Sequence, residues 1–588
     1  MCGISGEISA LKSSIDRVEI INERQHHRGP DHKDIYVSDD HKVVLGMTRL
    51  SIIDLDNGYQ PMSIDNGNFT IVFNGEIFNA AKLRHDLMSK FNESFSTNSS
   101  DTEVLVRMYK NYGLNCFEKL NGMFAAVIYD KLKNICVILR DEFGIKPLFY
   151  HHNLKTLTFS SEIRSLKAVH EGCINHRAIS DYLDFGYISG DYTIDNSIQR
   201  FPRNSVGVFS LANGQLEIKP MEQMPNTYLD CKISLTKAKD QIRSCLIEAV
   251  KNWTISDQSL CFSLSGGVDS ASLVSIASQM GTVDTFSVGF DQGFGRWNEL
   301  EDAREISKTL GTNHNEIIIN MKDVEQDLFE MLDIIGEPYS GGLPSYYLYK
   351  EASKNYRVIL TGLGGDELFG NYSSAHKYKN YYGTKKPFDV RSYINLKYLC
   401  AERNDDNKLL ILKSEDLNKK IVDSNDLGKI YSDHNFDENI CNFDLSTQLV
   451  NEFLSMTDSF SMNFSLEART PFLDKNFSKY IVSLPMKMRN TPEKYKSLLT
   501  DSLNGILPKS TLNKPKKGFS LPLSILMREN YCKLFETLLS HSAIKNNEYI
   551  NTNIYETLIH PFLNGDNRFV SIVWRLFILQ IWLNRKTL

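Results

Sequence analysis

Short apolar runs bounded by Asp, Asn or Gly recur through the first 200 positions of the chain, as at Val43–Gly46, Phe69–Phe73, Met123–Tyr129 and Ile135–Leu139. Runs of this length between turn formers predict strands. A helical pattern over Asp101–Tyr112 interrupts them, so this part reads as an α+β unit with packed sheets. Near 205–235 the chain turns polar around Gly214, Pro220 and Pro225, and an amphipathic helix is predicted over Leu235–Trp253. Beyond it, apolar segments at Ser259–Leu264, Thr285–Phe290, Glu316–Ile319 and Arg357–Leu360 alternate with helical ones. That alternation predicts an α/β, doubly wound parallel sheet. Residues 373–455 are rich in Lys, Asn and Asp and read as helices and long loops. The most apolar stretch, Phe569–Leu583, is interrupted by Arg575 and Gln580 and is too short to span a bilayer, so a buried helix is expected.

Composition narrows the class. The 588 residues suffice for several domains. A hydrophobic share of 41%, a charged share of 23% and a formal net charge of -6 suit an ordinary globular protein and point away from nucleic acid and anionic membranes as partners. The ten cysteines are scattered without metal-ligand spacing, and a chain of this size needs no disulfide staples. A reducing cytoplasm is the expected compartment, and the polar start predicts no signal peptide.

Candidate chemistry lies in two places. Cys2 becomes the first residue once Met1 is removed. Its α-amine, which titrates near ~8, then serves a thiol near ~8.5 as a base, the arrangement needed to split an amide through a thioester. Farther on, the apolar segment Ser259–Leu264 leads into Ser265-Gly266-Gly267-Val268-Asp269-Ser270 and then a helical run. Two glycines permit a tight turn and close approach of phosphate, and a helix N-terminus adds N–H donors. The loop lacks the GxxxxGKS spacing of Walker-type nucleotide sites. Thr361-Gly362-Leu363-Gly364-Gly365-Asp366-Glu367 follows another strand, so Asp269 and Asp366 stand at the carboxyl ends of two strands, where ligands bind open parallel sheets.

These motifs occur with others: His27-Arg28-Gly29-Pro30-Asp31, Arg49-Leu50-Ser51-Ile52, Phe73-Asn74-Gly75-Glu76, Ser100-Asp101-Thr102-Glu103, Ser465–Asp474 and Lys514–Phe519. In order and content they resemble the glutamine-hydrolysing asparagine synthetase family over roughly residues 1–585. The resemblance implies an N-terminal-nucleophile αββα sandwich over 1–205, a connector over 206–235, and a PP-loop domain with a helical C-terminal part over 236–588. It implies Cys2 as nucleophile, with the Asn74 amide and Gly75 N–H as oxyanion donors. Arg49, Ile52, Asn74, Gly75, Glu76 and Asp101 would bind glutamine, Arg49 holding the carboxylate and Glu76 and Asp101 the ammonium. Leu264, Ser265, Gly266, Gly267, Asp269, Ser270, Val288, Thr361 and Gly362 would bind ATP, Asp269 and Asp366 would hold Mg²⁺, and Lys516 would stabilise charge in the amide-forming step. A homodimer is implied as well.

The chain departs from that family's pattern around the acceptor. Leu363 stands where an acidic residue is usual, Glu337–Ser345 is shorter and lacks an Asp, and Asp458-Ser459-Phe460-Ser461-Met462 replaces Asp-Arg-Met-Ser-Met. Met47-Thr48 replaces His-Arg in the first half. The expected acceptor is therefore a carboxylate, either aspartate or another acid such as a sugar uronate or a natural-product precursor. A sugar-phosphate amidotransferase disagrees with the Ser265–Ser270 loop, and a catalytically silent homologue disagrees with the retained Cys2, Asp269, Asp366 and Lys516.

Overall fold

The structure, a computed structural model, describes residues 2–221, 233–291, 298–321, 324–370, 378, 390–398, 436–491, 494, 496–512 and 521–585. The first half contains twelve strands: β1 Cys2–Ser9, β2 His32–Val37, β3 Val43–Arg49, β4 Met62–Ile64, β5 Phe69–Ile77, β6 Gly122–Asp130, β7 Ile135–Arg140, β8 Phe149–Asn153, β9 Thr156–Ser160, β10 Gln199–Arg200, β11 Ser205–Ser210 and β12 Leu216–Pro220. They form two six-stranded antiparallel sheets, ordered β10-β8-β9-β1-β3-β2 and β12-β11-β7-β6-β5-β4. The helix Ile15–Arg24 covers the first sheet, and Ala80–Phe91 with Asp101–Tyr112 covers the second. This is the αββα sandwich.

Strand alternation explains the layers. On β5, Ile71 and Phe73 join the helix-side core while Val72 joins the core between the sheets. A one-residue slip would exchange these sets and mismatch the packing of both cores. β11 pairs with both β7 and β12. The sandwich therefore runs through Pro220, and the connector expected over 206–235 begins too early. The Gly214 and Pro220 signals mark a hairpin turn and a strand end, not a linker.

The second half is built on a five-stranded parallel sheet: β13 Leu260–Ser263, β14 Asp284–Phe290, β15 Asn313–Ile319, β16 Val358–Leu360 and β17 Glu467–Arg469, ordered β15-β14-β13-β16-β17. From β13 the chain winds outward to β15, then returns to β16 on the other side of β13. The switch point lies between β13 and β16, where the loops after both strands flank one crevice. The expected helices Asp101–Tyr112 and Leu235–Trp253 form with those bounds.

The C-terminal helix Val570–Asn584 is buried. Its Arg575 donates to the carbonyls of Leu183 and Asp184 in the first half, which satisfies the charge inside the apolar run. Among the described residues, no helix is long and apolar enough to cross a membrane. Of the expected helices in 373–455, Val390–Tyr398 and Phe436–Ser446 form, followed by a π-helix at Gln448–Leu454; the rest of that segment lies largely outside the described residues.

Candidate active site

Cys2 begins β1 directly opposite Arg49 on β3, so the two side chains share one face. The Cys2 backbone is fixed at both ends. Its N–H donates to Asn74 Oδ1 at 3.1 Å, and its carbonyl accepts from Arg28 Nε at 3.2 Å. The first bond bridges the two sheets, because Asn74 lies on β5. Asn74 Nδ2 is buried with no hydrogen-bond partner among the described residues, a donor available to an oxyanion. A Cβ on Gly75 would run into the Met123 carbonyl oxygen and Phe124, so only glycine lets β5 approach β6 this closely. Burial pushes the Cys2 thiol up, so the resting group is the neutral thiol.

Arg49 is anchored by its own loop: its terminal nitrogens donate to the carbonyls of Leu55 at 3.1 Å, Ile53 at 3.3 Å and Asp54 at 2.8 Å. Ile52, buried in that loop, packs beside Leu50 and Phe78. Glu76 is the last residue but one of β5, and Asp101 starts the helix behind it, accepting the Ile77 N–H at 2.9 Å. Burial pushes Asp101 up to about 6. Burial and the neighbouring Asp101 push Glu76 well above the usual carboxylate range, against the pull of Arg469. Two acids that share a buried site cannot both ionise cheaply, and a substrate cation would relieve them.

The Arg28 side chain reaches further. It pairs with Glu162 at 3.2 Å and with Asp458 of the second half at 2.9 Å; Lys146 stands 3.5 Å from the same Asp458. All four are buried. Sequence reading assigned Arg28 no role, and the partners Glu162 and Lys146 carry no motif of their own.

In the second half, Ser270 ties the loop after β13 together. Its Oγ accepts the Ser265 N–H at 3.0 Å, and Ser265 Oγ accepts the Gly267 N–H at 3.1 Å. Leu264 donates to Phe286 O at 2.8 Å, which seats the loop against β14, where Val288 is buried two residues on. A Cβ on Gly266 would meet Asp302 at 2.6 Å. Across the crevice, Thr361 N–H donates to the Arg469 carbonyl at 2.8 Å. Gly362 and Gly365 enclose Asp269, with virtual Cβ positions only 3.0 Å from its Cβ and 2.5 Å from its Oδ1. Asp269 and Asp366 are thus brought together as expected.

Between them lies a residue the sequence reading missed. Lys496 Nζ is 2.5 Å from Asp269 Oδ2 and 2.6 Å from Asp366 Oδ1. Burial alone would lower it, but the two carboxylates hold its ammonium above the ordinary lysine range. Lys496 also has a left-handed backbone, φ 51°, a conformation that costs a non-glycine residue about 1–3 kcal/mol and persists where surrounding structure enforces it. Lys516, the lysine expected at this site, lies outside the described residues. The signal for Lys496 was only a lysine in a basic stretch, which usually means a solvated face.

The segments that depart from the family pattern meet one another. Gly342 is positive in φ, and a Cβ there would strike Phe460 at 2.6 Å and Tyr339 at 3.0 Å. Ser340 O accepts the Trp574 N–H at 2.8 Å, and Glu337 pairs with Arg200. Leu363 is half-buried in the loop after β16.

A thiol held between two sheets and a glycine loop at a parallel-sheet switch point define a chain that joins an N-terminal-nucleophile site to a phosphate-loop site. Comparison with known proteins agrees. The glutamine amidotransferase domain model matches residues 1–220 and the asparagine synthase model matches 241–584. The chain belongs to the asparagine synthase family. It is 30% identical to asparagine synthetase (glutamine-hydrolyzing) 1 of Bacillus subtilis strain 168, over 99% of this chain and 96% of that protein. It is 27% identical to asparagine synthetase (glutamine-hydrolyzing) 3 of the same organism, over 88% and 87%.

Proposed function

We propose that the chain is an ATP- and glutamine-dependent amidotransferase that converts an aspartate carboxylate to the amide of asparagine. The observation that carries this reading is the presence of both half-sites in one chain: Cys2 beside the unpartnered Asn74 Nδ2, and Asp269, Asp366 and Lys496 around the glycine loop.

With Met1 removed, the Cys2 nitrogen is a free amine, able to take the thiol proton as sulfur attacks the glutamine amide carbon. Asn74 Nδ2 and the Gly75 N–H receive the oxyanion, and the amine returns the proton to the departing ammonia. Arg49 takes the glutamine carboxylate, and Glu76 with Asp101 takes its ammonium.

In the second half, Ser265, Gly266, Gly267 and Ser270 receive the ATP phosphates at the loop and helix start, with Leu264, Val288, Thr361 and Gly362 lining the nucleotide. Asp269 and Asp366 suit Mg²⁺: they are paired hard-oxygen donors in a glycine-lined crevice, already bridged by a cation, the Lys496 ammonium. The ion would neutralise triphosphate charge there. The acceptor carboxylate attacks the α-phosphorus and pyrophosphate leaves; ammonia then displaces AMP from the acyl-adenylate. Lys496 is positioned to offset negative charge in both steps. Water must be kept from the adenylate, and the buried contacts between the halves favour transfer of ammonia inside the protein.

A second reading keeps the chemistry but changes the acid. It is favoured by Leu363, an apolar side chain at the mouth of β16 beside the glycine loop. Pyrophosphate release from ATP, with Mg²⁺ and glutamine, across a panel of carboxylic acids tests both. Release with aspartate, and asparagine in the products, supports the first reading. Release only with another acid replaces aspartate, and silence with every acid removes the adenylation step.

A further inference from the structure

The second half of the chain sends a charged pair into the glutamine pocket of the first. β17 is the edge strand of the parallel sheet, and Glu467 and Arg469, two residues apart, point to the same side. Both are fully buried. Arg469 Nε donates to Glu467 Oε1 at 2.6 Å, and its NH1 donates to the carbonyls of Trp253 at 2.8 Å and Ile255 at 2.6 Å. Three bonds thus fix the guanidinium plane. Its remaining nitrogen, NH2, is buried, makes no hydrogen bond among the described residues, and lies 3.7 Å from Glu76 Oε2. Phe78, the second residue after Glu76, has its ring centroid 5.4 Å from the same guanidinium.

We infer that Arg469, a residue of the amide-forming half, is a positioning residue of the glutamine site: it orients the Glu76 carboxylate toward the substrate ammonium. This rests on the reading of Glu76 and Asp101 as the ammonium-holding pair. Glu76, Asp101 and Glu467 place three carboxylates in one buried region, and all three act on one another. The Arg469 guanidinium faces Glu76 directly, and Lys146 also acts on Glu467. Without the guanidinium, the acids would relieve their repulsion more readily by taking protons, and the ammonium would lose its partner. The guanidinium cannot itself release a proton and cannot swing away, because Glu467 and two carbonyls hold it. Its backbone carries the link onward: the Arg469 carbonyl accepts the Thr361 N–H, at the edge of the phosphate crevice. Glutamine recognition thus depends on the second half being folded and seated.

The test compares wild-type full-length protein with Arg469→Met and Arg469→Lys. Three rates are read: glutamine hydrolysis, alkylation of Cys2 by a glutamine-shaped diazoketone, and its alkylation by iodoacetamide. Iodoacetamide carries no α-ammonium and reports only the thiol and its access. In Arg469→Met the glutamine KM rises about ten-fold or more while kcat changes less. Labelling by the glutamine-shaped reagent slows to match, the iodoacetamide rate stays within about two-fold, and Arg469→Lys falls between. An unchanged KM overturns the inference. So does an equal fall in both labelling rates, which would make Arg469 a packing residue. Should Arg469→Met not fold, Arg469→Lys decides by the same criteria. Wild-type protein that hydrolyses no glutamine would remove the glutaminase reading itself, a result separate from these.

Discussion

Lys496 bridges two strands: its ammonium lies 2.6 Å from Asp366, after β16, and 2.5 Å from Asp269, after β13. A flexible lysine held in a left-handed backbone between two carboxylates is not a packing device. It places a buried positive charge in the crevice between the loops after β13 and β16, the site proposed for ATP. Lys496→Met should lower pyrophosphate release by about 10²–10³-fold, the usual cost of removing a group that stabilises transition-state charge. Glutamine hydrolysis should be unaffected. An equal loss of both activities would show that Lys496 supports the fold rather than the chemistry.

Cys2→Ala should abolish glutamine hydrolysis and leave amide formation from ammonium salts. The Asn74–Cys2 bridge uses backbone nitrogen and survives the change. Mass spectrometry of active wild-type protein should find Met1 removed; active protein that retains Met1 contradicts the free-amine mechanism.

Burial pushes Asp101 up to about 6, above its ordinary 3.8. Between these values the native state binds more protons than the unfolded chain, so stability falls as pH rises, and the cost is fully present above about pH 6. Asp101→Asn should therefore stabilise the protein at pH 7.5, by on the order of 2 kcal/mol, and scarcely at pH 4. It should also raise the glutamine KM. Wild-type kcat/KM for glutamine should fall as the pH drops through about 6. Thermal melts and rates at the two pH values check both effects.

Asp458→Ala leaves Arg28 and Lys146 buried beside an empty position. Removing one member of a buried ion network costs about 3–5 kcal/mol. Because Arg28 Nε also holds the Cys2 carbonyl, slower glutamine hydrolysis should accompany the loss. Urea denaturation with an unchanged midpoint would argue against the network.

Much of this was legible in the sequence. Apolar runs located eight strands closely, because strands buried on one or both faces carry their own signal, and the motifs located Cys2, Asn74, Glu76, Asp101, Asp269 and Asp366. β17 escaped because Glu467 and Arg469 are charged; parallel pairing with β16 makes a strand of them. Lys496 escaped because a lysine has no periodicity, and its role comes from two loops distant in sequence. The contacts of Arg28, Lys146 and Asp458 are likewise tertiary. The connector was misjudged because glycine and proline at a hairpin look like those in a linker.

The most direct measurement supplies glutamine labelled with ¹⁵N in its side-chain amide, together with ATP, Mg²⁺ and the acid that gives pyrophosphate release. The expected result is label in the product amide, with one AMP and one pyrophosphate formed for each labelled product, and loss of that transfer in Cys2→Ala. Label that appears only as free ammonium, or ATP cleaved to ADP and phosphate, would contradict glutamine-fed amide formation through an adenylate.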